Sequence, residues 1–325
     1  MAEATSIPSA DLIQEFLSDK GKEVIKRMFM DFRSARLVRK FAGVTDKITL
    51  ARQDVTSSLI KEWNSTLGFT NDALTITSVE LEVARLKTEL KFIIGDDTLH
   101  AYKAYLKGAG LVSDDIGLVE YLLMDLISAQ QEELENAMWQ GEKQDSGIGT
   151  RTLIERVDGF RTIADAAGVA GNATIVTTGA ITSSNAVEKV ELVYQGFDKT
   201  VKDRGGFIFC GYSLFENYQL RMLNLHSNAD MMLKTITGQG YSLEGMPLRL
   251  GAGRSFLVPV PGMGDDDALI GTRPEFLAYG FDYESEWTNW KIQEYGWETW
   301  ALNKFPVGFQ ILLQKEGFLV TNDRL

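Results

Sequence analysis

Residues 204–215 read Arg-Gly-Gly-Phe-Ile-Phe-Cys-Gly-Tyr-Ser-Leu-Phe and lie between two helical patterns. The apolar residues Phe207–Cys210 are bounded by glycines on both sides, which is typical of a short strand buried on both faces. Ser213 is expected to cap the helix that follows, and Thr182-Ser-Ser is expected to cap the helix that precedes. The apolar residues at helical spacing are Val187, Val190, Val193, Tyr194, Phe197, Val201, Phe215, Tyr218 and Met222. Helix, tight turn, strand and helix in this order indicate an α/β domain.

A long helix is predicted upstream of this domain, over about residues 115–140. Ser113, Asp114 and Asp115 offer side chains that cap a helix and favour its positive N-terminal end. Apolar residues then recur three or four positions apart, at Val119, Leu122, Leu123, Leu126, Ile127, Leu134, Ala137 and Met138. About 25 residues at 1.5 Å each give a helix of roughly 37 Å, which is long for a globular protein.

The stretch between residues 47 and 92 has the period of a β-ribbon. Polar and apolar residues alternate in Lys47-Ile-Thr-Leu-Ala and again in Leu74-Thr-Ile-Thr-Ser-Val-Glu-Leu-Glu-Val. The second alternation continues to residue 94, and a polar linker around residues 63–72 separates the two. An isolated hairpin is marginally stable in water, so we expect this ribbon to lie on a surface outside itself.

Basic residues are concentrated near the N-terminus of an acidic chain. The 325 residues include 33 Lys and Arg against 45 Asp and Glu, which gives a formal net charge of −12. Between Lys20 and Arg52, however, ten basic residues face three acidic ones, so this segment carries +7 and the remainder −19. Its apolar residues recur at helical spacing with a break at Gly21, which predicts two short amphipathic helices. The charge fits either a solvated helix face or an arm that faces a polyanion.

The residues needed for common catalytic and metal centres are scarce. One cysteine and two histidines are too few for a disulfide framework, a histidine-built metal centre or a histidine-based triad. Gly251-Ala-Gly253 lacks the third glycine of a dinucleotide-binding loop, and Ser213 lacks the second glycine of a nucleophile elbow. The aspartate runs at 96–97, 114–115 and 265–267 lack EF-hand spacing and are typical of solvated turns and caps. We therefore predict no catalytic, cofactor-binding or metal-binding residue, and no enzyme activity.

The sequence contains no signal for a membrane or for secretion. The N-terminal Met-Ala-Glu-Ala-Thr-Ser-Ile-Pro lacks the basic and apolar regions of a secretory signal. No run approaches the roughly 18 uninterrupted apolar residues of a membrane-spanning helix. Cys210 stands in an apolar run and fits a packed small hydrophobe better than a reactive thiol. We therefore expect a soluble protein that is made in a reducing compartment and has no membrane partner.

The order of these parts resembles that of tailed-phage (Caudoviricetes) major capsid proteins with the Hong Kong 97 phage capsid fold. Three short motifs are also similar to a loop and strands of that family: Glu244-Gly-Met-Pro-Leu-Arg-Leu, Phe256-Leu-Val-Pro-Val and Ala268-Leu-Ile-Gly. The resemblance covers nearly the whole chain and implies an α+β fold in five segments. These are an N-terminal arm at 1–46, an extended β-hairpin loop at 47–92, a peripheral domain with the long spine helix at 93–149, an axial α/β domain at 150–275, and a return to the peripheral β-sheet at 276–325.

The resemblance implies a structural protein rather than an enzyme. Copies would self-assemble without a cofactor into the pentamers and hexamers of an icosahedral phage head that encloses double-stranded DNA. The candidates for contact between copies, near the end of the extended loop, are Trp63, Leu67 and Phe69. The candidates for a basic face toward the shell interior are Arg33, Arg36, Arg39 and Lys40.

The resemblance also implies partners and a location. Many relatives carry a long, charged helical scaffolding segment ahead of the arm, whereas about ten residues precede the first predicted helix here. We therefore expect a separate scaffolding protein, or an arm that itself assists assembly. A portal protein and non-specific contact with packaged double-stranded DNA are further expectations. The location would be the virion capsid, after assembly in the cytoplasm of the host bacterium.

Two other interpretations stay open. An encapsulin-like compartment has the same architecture but encloses cargo enzymes, so its particles contain protein rather than nucleic acid. A soluble enzyme with two catalytic carboxylates, such as a glycosidase, predicts a compact monomer or small oligomer with a deep acidic cleft. No pair of carboxylates in the sequence stands out for that role.

Overall fold

The computed structural model describes nine ranges of the chain: residues 32–55, 74–93, 115–144, 151–225, 234–238, 241–250, 254–282, 291–295 and 298–325. The α-helices in these ranges are α1 (Asp115–Gln140), α2 (Phe160–Val169), α3 (Ala186–Gln195), α4 (Lys199–Arg204) and α5 (Tyr212–Leu225). Short 3₁₀ turns occupy Ser34–Arg36, Leu153–Glu155, Pro261–Met263 and Pro274–Phe276.

The described strands form two mixed sheets and one separate hairpin. Their bounds in chain order are β1 (Arg39–Ala42), β2 (Lys47–Val55), β3 (Leu74–Glu82), β4 (Ala84–Ile93), β5 (Thr174–Val176), β6 (Phe207–Cys210), β7 (Lys234–Gly238), β8 (Tyr241–Pro247), β9 (Phe256–Pro259), β10 (Leu269–Thr272), β11 (Leu277–Phe281), β12 (Lys291–Tyr295), β13 (Glu298–Ile311) and β14 (Val320–Asn322). One sheet has the order β1-β11-β13-β12, with β4 also paired to β13. The second has the order β5-β14-β10-β6-β9-β8-β7, and β2 pairs with β3. The fold is therefore of the predicted mixed α+β class.

Strand β6 lies in the middle of the seven-stranded sheet and is covered on both faces. Phe207 and Phe209 belong to one hydrophobic core, whereas Ile208 and Cys210 belong to another. The first core includes residues of α1 and α2, and the second includes residues of α3, α4 and α5. Because every side chain of β6 enters one of two cores, the strand is apolar throughout, and the predicted buried strand is confirmed.

Strand β13 holds the five-stranded sheet together. Ten of its residues pair with β4, from Glu298 opposite Ile93 to Val307 opposite Ala84. Its N-terminal residues also pair with β12 and its C-terminal residues with β11. Strand β11 is buried along its whole length and pairs in parallel with β1. The first described strand of the chain is therefore fixed to strands near the C-terminus.

The predicted ribbon divides at Val83 into two strands with different partners. Strand β2 pairs with β3 over its full length, from Lys47 opposite Glu82 to Val55 opposite Leu74. Strand β4 begins one residue later and pairs with β13 instead. Buried Val83 donates its N–H to the carbonyl oxygen of Asp46 at 2.8 Å, which closes the base of the hairpin.

The helices follow the sequence pattern except at their N-terminal caps. Helix α1 occupies the predicted range. The prediction of a cap at Ser213 is wrong, because the Phe215 N–H donates to the carbonyl oxygen of Gly211 at 3.1 Å and α5 therefore begins earlier. The single helix predicted after Thr182 is divided into α3 and α4. Asp198 caps α4 by accepting a hydrogen bond from the Thr200 N–H at 2.8 Å.

The base of the β2–β3 hairpin touches β13 at Gly308, where only glycine fits. A Cβ there would lie 2.0 Å from the carbonyl oxygen of Glu82 and 3.0 Å from Val83 Cα, so one backbone would have to move. We expect Gly308→Ala to lower the free energy of unfolding by about 1–3 kcal/mol, as overpacking generally does. Urea unfolding followed by circular dichroism measures the change.

Gly168→Ala in α2 is the matched control. Its added methyl group meets only the exposed side chain of Ile175, with Cδ1 at 2.8 Å and Cγ1 at 3.0 Å, which can turn toward solvent, and alanine favours a helix over glycine. We expect no loss of stability in this control. Equal losses in the two variants would contradict the proposed contact.

Candidate assembly site

A buried carboxylate joins the N-terminal segment to α1. The Ser34 N–H donates to Glu135 Oε2 at 2.9 Å, and the Ser34 hydroxyl donates to Glu135 Oε1. One turn further along α1, Trp139 Nε1 donates to Ser34 Oγ at 2.7 Å. Glu135 is 5% exposed, and Ser34 and Trp139 are fully buried. We call these three residues the arm–helix network.

Burial dominates the electrostatics of this network. It raises the pKa of Glu135 above the usual value of 4.5, because the charged form loses its hydration. The hydroxyl and N–H groups of Ser34 oppose the shift by donating to the carboxylate, and the Gly262 backbone and the charge of Arg33 act in the same direction. Glu135 therefore depends on the N-terminal segment for its main hydrogen-bond donors.

The turn Pro261–Met263 packs against the same end of α1. A Cβ on Gly262 would lie 2.1 Å from the carbonyl oxygen of Glu135 and 2.8 Å from Trp139 Cδ1. Gln140 Nε2 also donates to the Gly262 carbonyl oxygen at 2.7 Å. Because the turn follows β9, the end of α1 contacts both the N-terminal segment and the seven-stranded sheet.

Aromatic packing extends this junction into the core. The Trp139 ring lies 5.2 Å, between centroids, from Phe160 and 5.2 Å from Phe209. Phe160 is the first residue of α2, and Phe209 is in β6. Both contacts are tilted or edge-to-face, which is the favoured geometry for aromatic pairs. Trp139 therefore forms a hydrogen bond within the arm–helix network through its N–H and packs in the core through its ring.

The four predicted basic residues do not have equal surroundings. The half-buried Arg33 donates to the Tyr212 hydroxyl, and its guanidinium lies 5.4 Å from the Tyr212 ring centroid. Arg36, Arg39 and Lys40 are exposed. The structure thus brings Arg33 against α5 and leaves the other three at the surface, and their orientation within a shell stays a prediction.

The predicted contact residues Trp63, Leu67 and Phe69 lie outside the described residues. The base of their hairpin is described and is fixed to the five-stranded sheet. Leu81 is fully buried, and Gln310 Nε2 donates to the Glu80 carbonyl oxygen at 2.8 Å. The role of the three residues stays a prediction.

The described residues offer little support for a reactive cysteine or a metal site. Burial raises the pKa of the Cys210 thiol, which keeps it protonated and unreactive. Within the described ranges, no group of three or more His, Cys, Asp or Glu side chains is placed to hold a metal ion. The same ranges contain no helix with the length and apolar character needed to cross a membrane.

Sequence reasoning missed Ser34 and Glu135. The available signal was Glu135 itself, an acidic residue beside the apolar positions Leu134, Ala137 and Met138 and one turn before Trp139. A carboxylate on an apolar helix face requires a buried donor. No sequence pattern indicated that Ser34, 101 positions away, supplies it.

The pH dependence of stability tests the state of Glu135. Its pKa is higher in the folded chain than in the unfolded chain, so the folded chain binds the proton more tightly. Its contribution to stability is therefore complete below about pH 4.5 and is lost as the pH rises through the folded-state pKa. We expect the wild type to lose stability relative to Glu135→Gln as the pH rises. Urea unfolding followed by tryptophan fluorescence, between about pH 4 and pH 8, measures the difference.

The exposed Glu132 on the same helix provides the control. Glu132→Gln removes the same charge without touching the arm–helix network. A stability difference between wild type and Glu135→Gln that does not change with pH would show that burial is not what governs this carboxyl group.

Comparison with known proteins identifies the fold. No protein-family model and no curated protein sequence matches the chain. A chain from the procapsid of satellite phage P4, a structure that includes the size determination (Sid) protein, is 13% identical, with a TM-score of 0.63 over 92% of this chain and 90% of that one. A chain from the capsid of Ralstonia phage GP4 is 8% identical, with a TM-score of 0.50 over 90% of both.

A third similar structure is a virus-like particle from Pyrococcus furiosus. It is 9% identical and covers 96% of this chain and 98% of that one. At a TM-score of 0.45, this likeness favours no particular function. The likeness to the P4 procapsid, by contrast, extends over nearly the full length of both chains. The chain therefore has the fold of a phage major capsid protein.

Proposed function

We propose that this protein is the wall subunit of an icosahedral phage head. The observation that carries the proposal is the fold, shared with a P4 procapsid chain over about nine-tenths of both chains. Wall subunits act by contact with copies of themselves and need no reactive thiol, which is consistent with the buried state of Cys210, the one cysteine of the chain. The proposed location is the virion capsid, after assembly in the bacterial cytoplasm.

The finer proposal is a Hong Kong 97-type subunit. In it, α1 is the spine helix, the β2–β3 hairpin is the extended loop, and the seven-stranded sheet with α3 and α5 is the core of the axial domain. The five-stranded sheet is the peripheral sheet. The segment limits at 46, 92, 149 and 275 and the grouping of copies into pentamers and hexamers remain part of this proposal.

The charge distribution supports a nucleic-acid content for the shell. An acidic body limits adhesion to DNA, whereas exposed cations on the N-terminal segment can contact phosphates without sequence preference. Double-stranded DNA, a separate scaffolding protein and a portal protein are the proposed partners. An encapsulin-like compartment with protein cargo is the alternative on the same fold.

Electron microscopy of the purified full-length protein tests the proposal. We expect closed shells after size exclusion, with nucleic acid in the particles that are recovered from infected cells. Cargo protein in place of nucleic acid would favour the encapsulin alternative. A chain that stays monomeric over all concentrations and salt conditions would contradict both.

The surface cations of β1 give a second test. Arg39→Gln with Lys40→Gln removes two charges and leaves Arg33 in contact with Tyr212. We expect the slope of log affinity for duplex DNA against log salt to decrease by about 1–2, because each lost phosphate contact removes about 0.9. Filter binding at several salt concentrations measures the slope.

The matched control is Lys199→Gln with Arg204→Gln in α4. It removes the same charge from side chains that are also exposed. If the β1 variant kept the slope of the wild type, an inner basic face at these residues would be excluded.

A further inference from the structure

A basic groove of about 860 Å³ lies between β4, β13, the C-terminal half of α1 and residues 151–156. Among the described residues, Glu133 is the one acidic side chain that lines it. The cationic side chains that line it are Arg85, Lys87, Arg151, Arg156 and Lys304. The groove is therefore positive in a chain whose net charge is −12.

Like charges face each other on one wall of the basic groove. Lys87 is directly opposite Lys304, and Arg85 lies two residues away on the same face of β4. Like charges at directly opposed positions destabilise a sheet. Lys87 pairs with Glu89, but among the described residues no acidic group forms an ion pair with Arg85, Arg156 or Lys304. A bound anion would therefore neutralise the repulsion between the cationic side chains on this wall.

The floor of the basic groove suits a polypeptide. Leu134 is 1% exposed and Phe305 is 7% exposed, and both line the groove. Gln130 Nε2 donates to Thr88 Oγ1 at 2.6 Å, whereas its buried Oε1 has no donor among the described residues. After a small rotation of the Gln130 amide, which closes this oxygen to solvent in the unbound chain, a main-chain N–H of an incoming segment would satisfy it. Apolar floor and buried acceptor together favour a peptide over a phosphate backbone, which offers no such donor.

Strand β4 also offers an open edge. Among the described strands it pairs only with β13. Four consecutive residues of β4, 85–88, line the basic groove. Because successive side chains of a strand point to opposite faces, a groove that touches four in a row borders the edge of the strand as well as its faces. Such an edge can pair with an extended segment of another chain.

We propose that the basic groove docks an extended acidic segment of a second copy of this chain. The inference rests on the proposed function, in which many copies of one chain associate. Copies that each carry −12 repel one another, so association needs a positive surface on one copy opposite a negative surface on the next. The basic groove supplies the positive surface, and a chain with 45 Asp and Glu residues supplies the negative segment. A groove on one copy and a segment of another make a heterologous contact, which gives a ring when the rotation between copies closes and an open filament when it does not.

Removal of the groove charges tests the proposal in the full-length protein. Arg85→Gln with Lys304→Gln relieves the repulsion on β4 and β13, so the thermal stability of the dissociated chain should stay equal or rise. Association should weaken nevertheless, with about a tenfold higher protein concentration at half-association. Sedimentation velocity over a concentration series measures association, and microscopy measures shell closure. Lys199→Gln with Arg204→Gln is the control, for which we expect less than about a twofold change.

The outcomes separate this inference from the proposed function. If the groove variant associated like the control, the docking proposal alone would fail. Loss of nucleic-acid binding with normal association would assign the basic groove to nucleic acid and overturn the docking proposal. If association depended on the groove but gave open assemblies rather than closed shells, the docking proposal would stand and the proposed shell would be overturned. A wild-type chain that never associates would overturn both.

Cross-linking identifies the occupant directly. A carbodiimide joins a lysine to a carboxylate that touches it, and a mixture of ¹⁵N-labelled and unlabelled copies distinguishes links between copies from links within one copy. We expect Lys87 or Lys304 to be joined to an Asp- or Glu-containing peptide of a different copy. Links from these lysines only within one copy would overturn the proposal.

Discussion

The buried carboxylate of Glu135 is the constraint on which the junction depends. A charge without donors is unstable away from water, and the main donors to this one come from Ser34 rather than from α1 itself. The N-terminal segment therefore stabilises the end of α1. That segment leads into β1, which pairs with buried β11. One polar contact thus couples the helix, the N-terminal segment and the five-stranded sheet.

Trp139 connects the arm–helix network to the hydrophobic core. Its N–H closes the arm–helix network, while its ring packs on Phe160 and Phe209. Gly262 allows the turn after β9 to reach the helix backbone between these contacts. The turn after β9, strand β6 and the N-terminal segment consequently all contact the C-terminal end of α1. This junction is closely packed, whereas the basic groove lies elsewhere, along β4.

The sequence predicted the features that depend on local pattern. Strand β6 and helix α1 were predicted because each buries residues at a regular period. The division at Val83 had no distinctive signal, since the apolar positions also change from even numbers (Leu74, Ile76) to odd numbers (Val79, Leu81) inside the unbroken strand β3, and which strand each half pairs with depends on β13, more than 200 residues away. The pairing of Ser34 with Glu135 was hidden for the same reason. Contacts between distant residues leave little trace in a single sequence.

Because the strands change partner at Val83, a small tilt at the base of the β2–β3 hairpin produces a large displacement at its far end. Strands β2 and β3 are each nine residues long, or about 30 Å at the rise of an extended strand, and their base lies against the five-stranded sheet. Their base is held by Val83, by the contact at Gly308 and by the bond from Gln310. A tilt of about 10° at this pivot would displace the far ends of the two strands by about 5 Å. In the proposed shell, this change of angle would let one subunit occupy positions of different curvature, with the base of the hairpin as the pivot.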